Sequence, residues 1–322
     1  MKSSLLALAA IASFALSTPA ISQETRQVTD FLNRAVEVPA QAERITILDP
    51  LAALEAALSL GIVPSQIGQR SFVAEYLGDP LLQWPWLEAA LAELGAHPLR
   101  MSADEVDLEV VAAGKPDLIL GADGWVADLA GQLQHLAPTV SVPTVDVRTA
   151  IGIYVEVFDM GAKAEAVLAA WDQRIESELR PLTPKGATLA LIRTDAPGTV
   201  AIFNSPGHGA YDYFHQAGYV TPPELAVLPI NYYGYASEVS LENIDVLASA
   251  DVIVVLGFSV SETDALLADP IFQTLPAVSE GRVVRVPQGP VAQAIAVQSP
   301  LNFDVLLEVA AEVAAAAARA PS

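Results

Sequence analysis

Two stretches of this chain are close to the same sentence. Residues 107–121 read DLEVVAAGKPDLILG, and residues 240–257 read SLENIDVLASADVIVVLG. Each copy carries Leu-Glu, a mixed apolar stretch, and then an Asp that opens a run of aliphatic residues. A carboxylate in the first turn of a short helix is favoured by the positive end of the helix dipole. An unbroken aliphatic run fits a strand covered on both faces, as in a parallel sheet. Two such units in one chain predict two related α/β lobes, each presenting one glutamate.

The surrounding pattern agrees. RITILD (44–49) reads as a first buried strand, followed by a helix over 51–60 that Gly61 ends, and by a short strand in IVPSQIGQ. Residues 70–105 read as irregular apart from a helical segment near 87–94, with Trp84 and Trp86 covering a lobe surface. WVADLAGQLQHLAP predicts a helix and VSVPTVDV a strand. ATLALIRT and TVAIF restart the alternation, AYDYFHQAG predicts a helix, GRVVRVP a last strand, and 300–320 a terminal amphipathic helix. Strands alternating with helices imply a three-layer architecture. Between the two halves, Ile153, Val157, Met160, Ala164, Val167, Trp171 and Ile175 recur at helical spacing with no proline from 144 to 180. That predicts one long helix, about 50 Å at 1.5 Å per residue, acting as a strut with Trp171 in the core. The expected fold is therefore α/β: two three-layer lobes with mostly parallel sheets, joined by one long interdomain helix. The expected boundaries are 1–22, 23–147 for the first lobe, 148–180 for the strut and 181–322 for the second lobe.

Lys2, the apolar run from Leu5 to Leu16 and the small-residue site Ala20-Ile21-Ser22 read as a secretory signal peptide over 1–22. The apolar run is too short to span a bilayer, so no direct membrane insertion is expected. The absence of cysteine removes disulfides, thiolate chemistry and the cysteine that a lipid anchor needs. A periplasmic protein without a lipid anchor is the resulting expectation. Acidic residues outnumber basic ones 38 to 16, a formal charge of -22 that repels nucleic acid and anionic lipid.

The motifs VDLEVVAAGKPDLILG, LQHLAPTV, VSLENIDVLASADVIVV and DPIFQTLPAVSEGRVVRVP, in this order and spacing, resemble the helix-linked (class III) periplasmic substrate-binding proteins of ABC transporters for ferric siderophores and vitamin B12. The resemblance runs from about residue 43 to 316. It implies a monomer that binds a small iron chelate and delivers it to an ABC permease in the inner membrane. It also implies that Glu109 and Glu242 dock into arginine pockets of that permease, where a carboxylate matches a guanidinium fork. A cobalamin or haem carrier of the same class is the alternative, and a periplasmic enzyme on a similar fold the more distant one.

Ligands of open α/β lobes bind beyond the carboxyl ends of the strands. Loops in those positions are aromatic or basic, and six of the eight tyrosines lie within 211–235. Flat amphipathic rings and guanidinium forks suit an oxygen-rich chelate. The candidate ligand contacts are Arg70, Phe72, Arg100, Trp125, Arg193, Tyr232, Tyr233 and Tyr235. Within the family the resemblance is nearest to ferric-hydroxamate binders, in which Trp125, Tyr233 and Arg100 match ligand-contact positions. His97, His135, His208 and His215 form no metal-ligand spacing, so no metal site and no cofactor are expected; of the four, His208 is the one placed to reach the cleft. Ser259 in VVLGFSVS fails the nucleophile-elbow pattern and has no histidine after it, so no catalytic residue is expected.

Overall fold

The computed structural model describes residues 24–48, 51–69, 84–102, 106–194, 196–232, 234–257, 260–287 and 289–320. The predicted signal peptide, Arg70, Phe72, Tyr233 and Ser259 lie outside these residues.

The first lobe is built on strands β3 (Ile45–Ile47), β4 (Gln66–Gln69), β5 (Leu99–Ser102), β6 (Leu118–Ala122) and β7 (Thr139–Val142). They form one sheet in the order β5-β4-β3-β6-β7, parallel at every pairing. Helices α1 (Ala52–Ser59), α2 (Pro85–Glu93) and α5 (Val147–Phe158) lie on one face; α3 (Leu108–Ala113) and α4 (Asp123–Leu133) lie on the other. A hairpin that periodicity does not reveal, β1 (Thr25–Thr29) with β2 (Ala35–Pro39), precedes the sheet. Its buried turn residue Asp30 accepts hydrogen bonds from the backbone N–H groups of Leu32, Arg34 and Ser141, and pairs with the Arg34 guanidinium. Phe31 N–H donates to the Ser141 carbonyl, so the hairpin covers the open edge of β7.

The second lobe repeats this with strands β8 (Leu189–Arg193), β9 (Thr199–Phe203), β10 (Ala236–Ser240), β11 (Val252–Leu256) and β12 (Val283–Val286), ordered β10-β9-β8-β11-β12. Here β9 runs antiparallel to both neighbours, because only five residues, 194–198, with Gly198 at φ +82°, separate it from β8. Its longer helices are α7 (Gly209–Ala217), α8 (Val260–Ala268), α9 (Pro290–Ala296) and α10 (Phe303–Ala317).

The strut differs from expectation. Helix α5 stops at Asp159, whose backbone turns left-handed at φ +56°, and α6 (Gly161–Arg174) sets off in the opposite direction. Arg148 at the start of α5 meets Asp172 near the end of α6 at 2.5 Å and lies 4.1 Å over the Trp171 ring. A continuous helix would hold residues 148 and 172 about 36 Å apart. The segment is therefore a helical hairpin. Its apolar spacing persists across the break because α5 and α6 turn their buried faces to the same core. After Arg174 the helix widens into a π turn at Ile175–Leu179 and tightens to a 3-10 turn at Arg180–Leu182. Pro181 explains the change, since it has no N–H to give and its ring crowds the preceding turn. The run that passes from lobe to lobe is 161–182, about 33 Å long.

Trp84 and Trp86 also depart from expectation. They are stacked 5.9 Å apart and buried at 0% and 8% exposure, inside the core. A single apolar cluster extends from Leu54 and Trp84 in the first lobe, through Trp171, to Phe214 and Phe303 in the second.

Candidate functional site

The repeated sentence has a structural counterpart. Asp117 accepts from the backbone N–H groups of Glu43 and Arg44 just ahead of β3, at 2.9–3.1 Å. Asp251 accepts from the N–H and hydroxyl of Thr188 just ahead of β8, at 2.8 and 2.9 Å. In each lobe the equivalent aspartate ties the start of an inner strand, β6 or β11, to the start of the lobe's neighbouring strand, β3 or β8. Glu109 sits in the first turn of α3, and Glu242 in the first turn of a 3-10 helix, Leu241–Leu247. Both are exposed, and each follows the carboxyl end of an edge strand, β5 or β10. Asp107 caps α3 through bonds from the N–H groups of Glu109 and Val110, whereas Ser240 makes no cap bond. The extra residue of the second copy is absorbed at Asn243, where the backbone leaves helical geometry.

In the first lobe strand order reverses between β3 and β6, and in the second between β8 and β11; such reversals open a crevice at the carboxyl ends. Trp125 falls in the first turn of α4, directly after β6 at the first reversal. Arg193 ends β8 at the second, 8% exposed. Its guanidinium lies 5.4 Å from the Phe203 ring. Tyr235 stacks on the same ring at 5.9 Å, and His208 packs against both rings at 4.5 and 5.0 Å. Gly234, at φ +79°, allows the tight turn in which Tyr232 N–H donates to the Ala236 carbonyl, and this holds Tyr235 over the sheet.

His208 caps α7, its Nδ1 accepting from Ala210 N–H at 3.2 Å. Burial, helped by the charge of Arg193, pushes its pKa down to about 4. It is therefore a neutral ring with its proton on Nε2. Gly209 beside it has no room for a Cβ, which would strike the Ala296 carbonyl oxygen. This close approach seats α7 on α9. Where the lobes and α6 meet, a cavity of about 160 Å³ is lined by Asp146, Arg148, Trp171, Gly207, Asp212 and Gln298. Burial, and then the charge of Asp146, raises the Asp212 carboxyl above its ordinary range.

The structure thus brings Arg193, Tyr232 and Tyr235 into one region, with His208 beside them, and adds Phe203. Sequence reasoning passed over Phe203, because an aromatic residue ending a strand pattern reads as core. Arg100 stands apart, in mid-strand on β5 and paired with Glu88 of α2 at 3.1 Å. Among the described residues no group of three or more His, Asp or Glu could hold a metal ion. His215 is bonded to Thr221 at 2.9 Å. No helix among the described residues is long and apolar enough to cross a membrane.

Residues 72–290 match the periplasmic binding protein family. The chain belongs to that family. It is 28% identical over 156 residues to a probable siderophore-binding lipoprotein, YfiY, of Bacillus subtilis (strain 168), a match that spans 48% of this chain and 45% of the relative. Among solved structures, PiaA of Streptococcus pneumoniae TIGR4 in complex with ferrichrome superposes with a TM-score of 0.75 at 23% identity, over 92% of this chain and 99% of that one. A periplasmic solute binding protein of Mycobacterium smegmatis gives 0.72 at 25% identity, over 91% and 99%. The two-lobed family fold thus extends across nearly the whole described chain.

Proposed function

We propose that this protein captures a ferric siderophore, of hydroxamate type, in the cleft between its lobes and delivers it to an ABC importer. The observation that carries the reading is the placement of Arg193 at the second strand-order reversal, amid Phe203, Tyr235 and His208. A desolvated guanidinium offers paired donors to anionic hydroxamate oxygens, and it binds them more strongly there than in water. Tyr235 and Tyr232 supply flat walls with hydroxyl edges, and neutral His208 adds an Nε2–H donor without a second positive charge. Arg70, Phe72, Trp125 and Tyr233 complete the proposed lining, with Arg100 at its margin. A relative of known structure holds ferrichrome, and another relative is named as siderophore-binding, which supports this ligand class. The protein needs no cofactor of its own; iron arrives inside its cargo.

Delivery follows from the glutamates. Two exposed carboxylates at equivalent places on two lobes can engage two equivalent arginine sockets on a dimeric permease, fixing orientation by separated charge-assisted contacts. Titration against ferrichrome, a ferric catecholate, ferric citrate, haemin and cobalamin tests the ligand class through tryptophan quenching and visible spectra. Saturable quenching by ferrichrome that weakens at least tenfold in Arg193→Gln is the expected result. Preference for haemin or cobalamin would replace the siderophore with the alternative cargo, and no response to any of the five would overturn the reading.

A further inference from the structure

Between the lobes lies a carboxylate that ligand capture does not use. Glu55, one turn into α1, is fully buried. Its Oε1 accepts from the Trp86 indole N–H at 2.7 Å, and its Oε2 from the Ser299 hydroxyl at 2.7 Å. Trp86 belongs to the first lobe. Ser299 belongs to the second, in the turn 297–302 between α9 and α10, and is fully buried as well. That turn is itself rigid: the Ser299 hydroxyl accepts from the N–H groups of Leu301 and Asn302, Ser299 N–H donates to Asn302 Oδ1, and the Asn302 amide donates to the Val297 carbonyl. Helix α1 follows the carboxyl end of β3, and α9 follows that of β12, so the link joins elements that leave the carboxyl ends of the two sheets.

We propose that Glu55 is a positioning residue: by clasping Trp86 on one lobe and Ser299 on the other it fixes how the lobes seat against each other, and hence the width of the cleft. The assignment concerns the empty protein and holds for any cargo. An isolated carboxylate in an apolar interior is costly, and hydrogen bonds to both oxygens are what keep it there. Burial raises its pKa to about 7, with the bonds from Ser299, Trp86 and Asn302 opposing. Among the described residues of the elements packed against it, no charged group faces it. Tyr154 of α5 is buried with its hydroxyl donated to the Ala53 carbonyl, Glu88 of α2 is turned to Arg100, β6 carries no titratable group, and Asp304 at the start of α10 pairs with Arg174. Proton loss near neutrality therefore changes the clasp itself.

The absence of cysteine makes the test clean, since spin labels on Glu93→Cys of α2 and Ala265→Cys of α8, both exposed, report one interlobe distance. In the otherwise unaltered, ligand-free chain the distance distribution is expected to broaden between pH 6 and pH 8. Trp86 emission should shift over the same interval, assigned by its loss in Trp86→Phe. Glu55→Gln, neutral at every pH, should keep the narrow distribution throughout, and Ser299→Ala should be broad at both pH values. A distribution indifferent to pH, a response that survives in Glu55→Gln, or a Ser299→Ala distribution as narrow as the parent's at pH 6 would each overturn the proposal. None of these readouts involves a siderophore, so the proposed cargo stands or falls separately.

Discussion

The two lobes agree strand for strand in order and disagree in one direction. In the first, β4 is reached through α1 and lies parallel to β3; in the second, β9 is reached through only five residues and lies antiparallel to β8. What the lobes share is concentrated around β6 and β11, where equivalent aspartates brace equivalent strands and equivalent glutamates stand exposed nearby. What they do not share includes the packing of Arg193 against the stacked rings of Phe203 and Tyr235 in the second lobe. Similarity therefore marks the surfaces that would face a symmetric partner. Divergence marks the surface that would face an asymmetric cargo.

Removal of the two exposed carboxylates has the largest expected consequence. Glu109→Ala with Glu242→Ala should reduce importer-dependent uptake to background while ferrichrome affinity stays within twofold. Each single variant should do comparable damage if the lobes serve equivalent sockets, and normal uptake by the double variant removes the docking role. Trp84→Ala and Phe303→Ala, one in each lobe and both fully buried, should each cost about 3–5 kcal/mol. Because the apolar cluster is common to both lobes, each should lower one calorimetric transition without splitting it; two resolved transitions would mean independent lobes.

A third contrast lies in pH. Glu55, raised from 4.5 to about 7, stabilises the fold fully below pH 4.5, and this contribution drains away as pH rises to 7. His208, lowered from 6.5 to about 4, works the other way: its contribution is complete above pH 6.5 and drains away as pH falls to 4. Each is worth about 1.4 kcal/mol per pH unit over its interval, so the two slopes oppose each other between pH 4.5 and 6.5. His208→Asn, which preserves a capping side chain, should uncover a loss of about 3 kcal/mol from pH 4.5 to 7. Glu55→Gln should uncover a loss of similar size from pH 6.5 to 4. Denaturant unfolding across pH measures both, and parallel profiles in the two variants would refute the opposition. The smallest contrast is in the caps. Asp107→Ala should cost about 1 kcal/mol, and Ser240→Ala a few tenths, because Ser240 makes no cap bond.

Much of this was legible in the sequence because the signals were local. Aliphatic runs after Asp117 and Asp251 became β6 and β11, and Gly61 did end α1. The repeat itself pointed to two lobes. The helical hairpin was illegible because its turn uses Asp159 in a left-handed conformation, with neither proline nor a preceding glycine to mark it, while the apolar spacing runs on undisturbed. Strands β5 and β10 lie at sheet edges, where covering on one side alone leaves no strong pattern. The direction of β9 depended on how few residues precede it rather than on its composition. Trp86 entered the core because Glu55 is there to take its indole N–H, and the two are 31 positions apart. The Arg193 cluster was half visible: the residues could be named, but only the fold puts Phe203 between Arg193 and Tyr235.

The π turn at Ile175–Leu179 has a mechanical corollary. A regular helix resists torsion evenly along its length, whereas a widened turn followed directly by a proline concentrates compliance in one place. Any swivel of one half of the molecule against the other would thus be taken up beside Pro181, at the end of the connector farther from α5. The first half would carry α6 with it as a rigid handle.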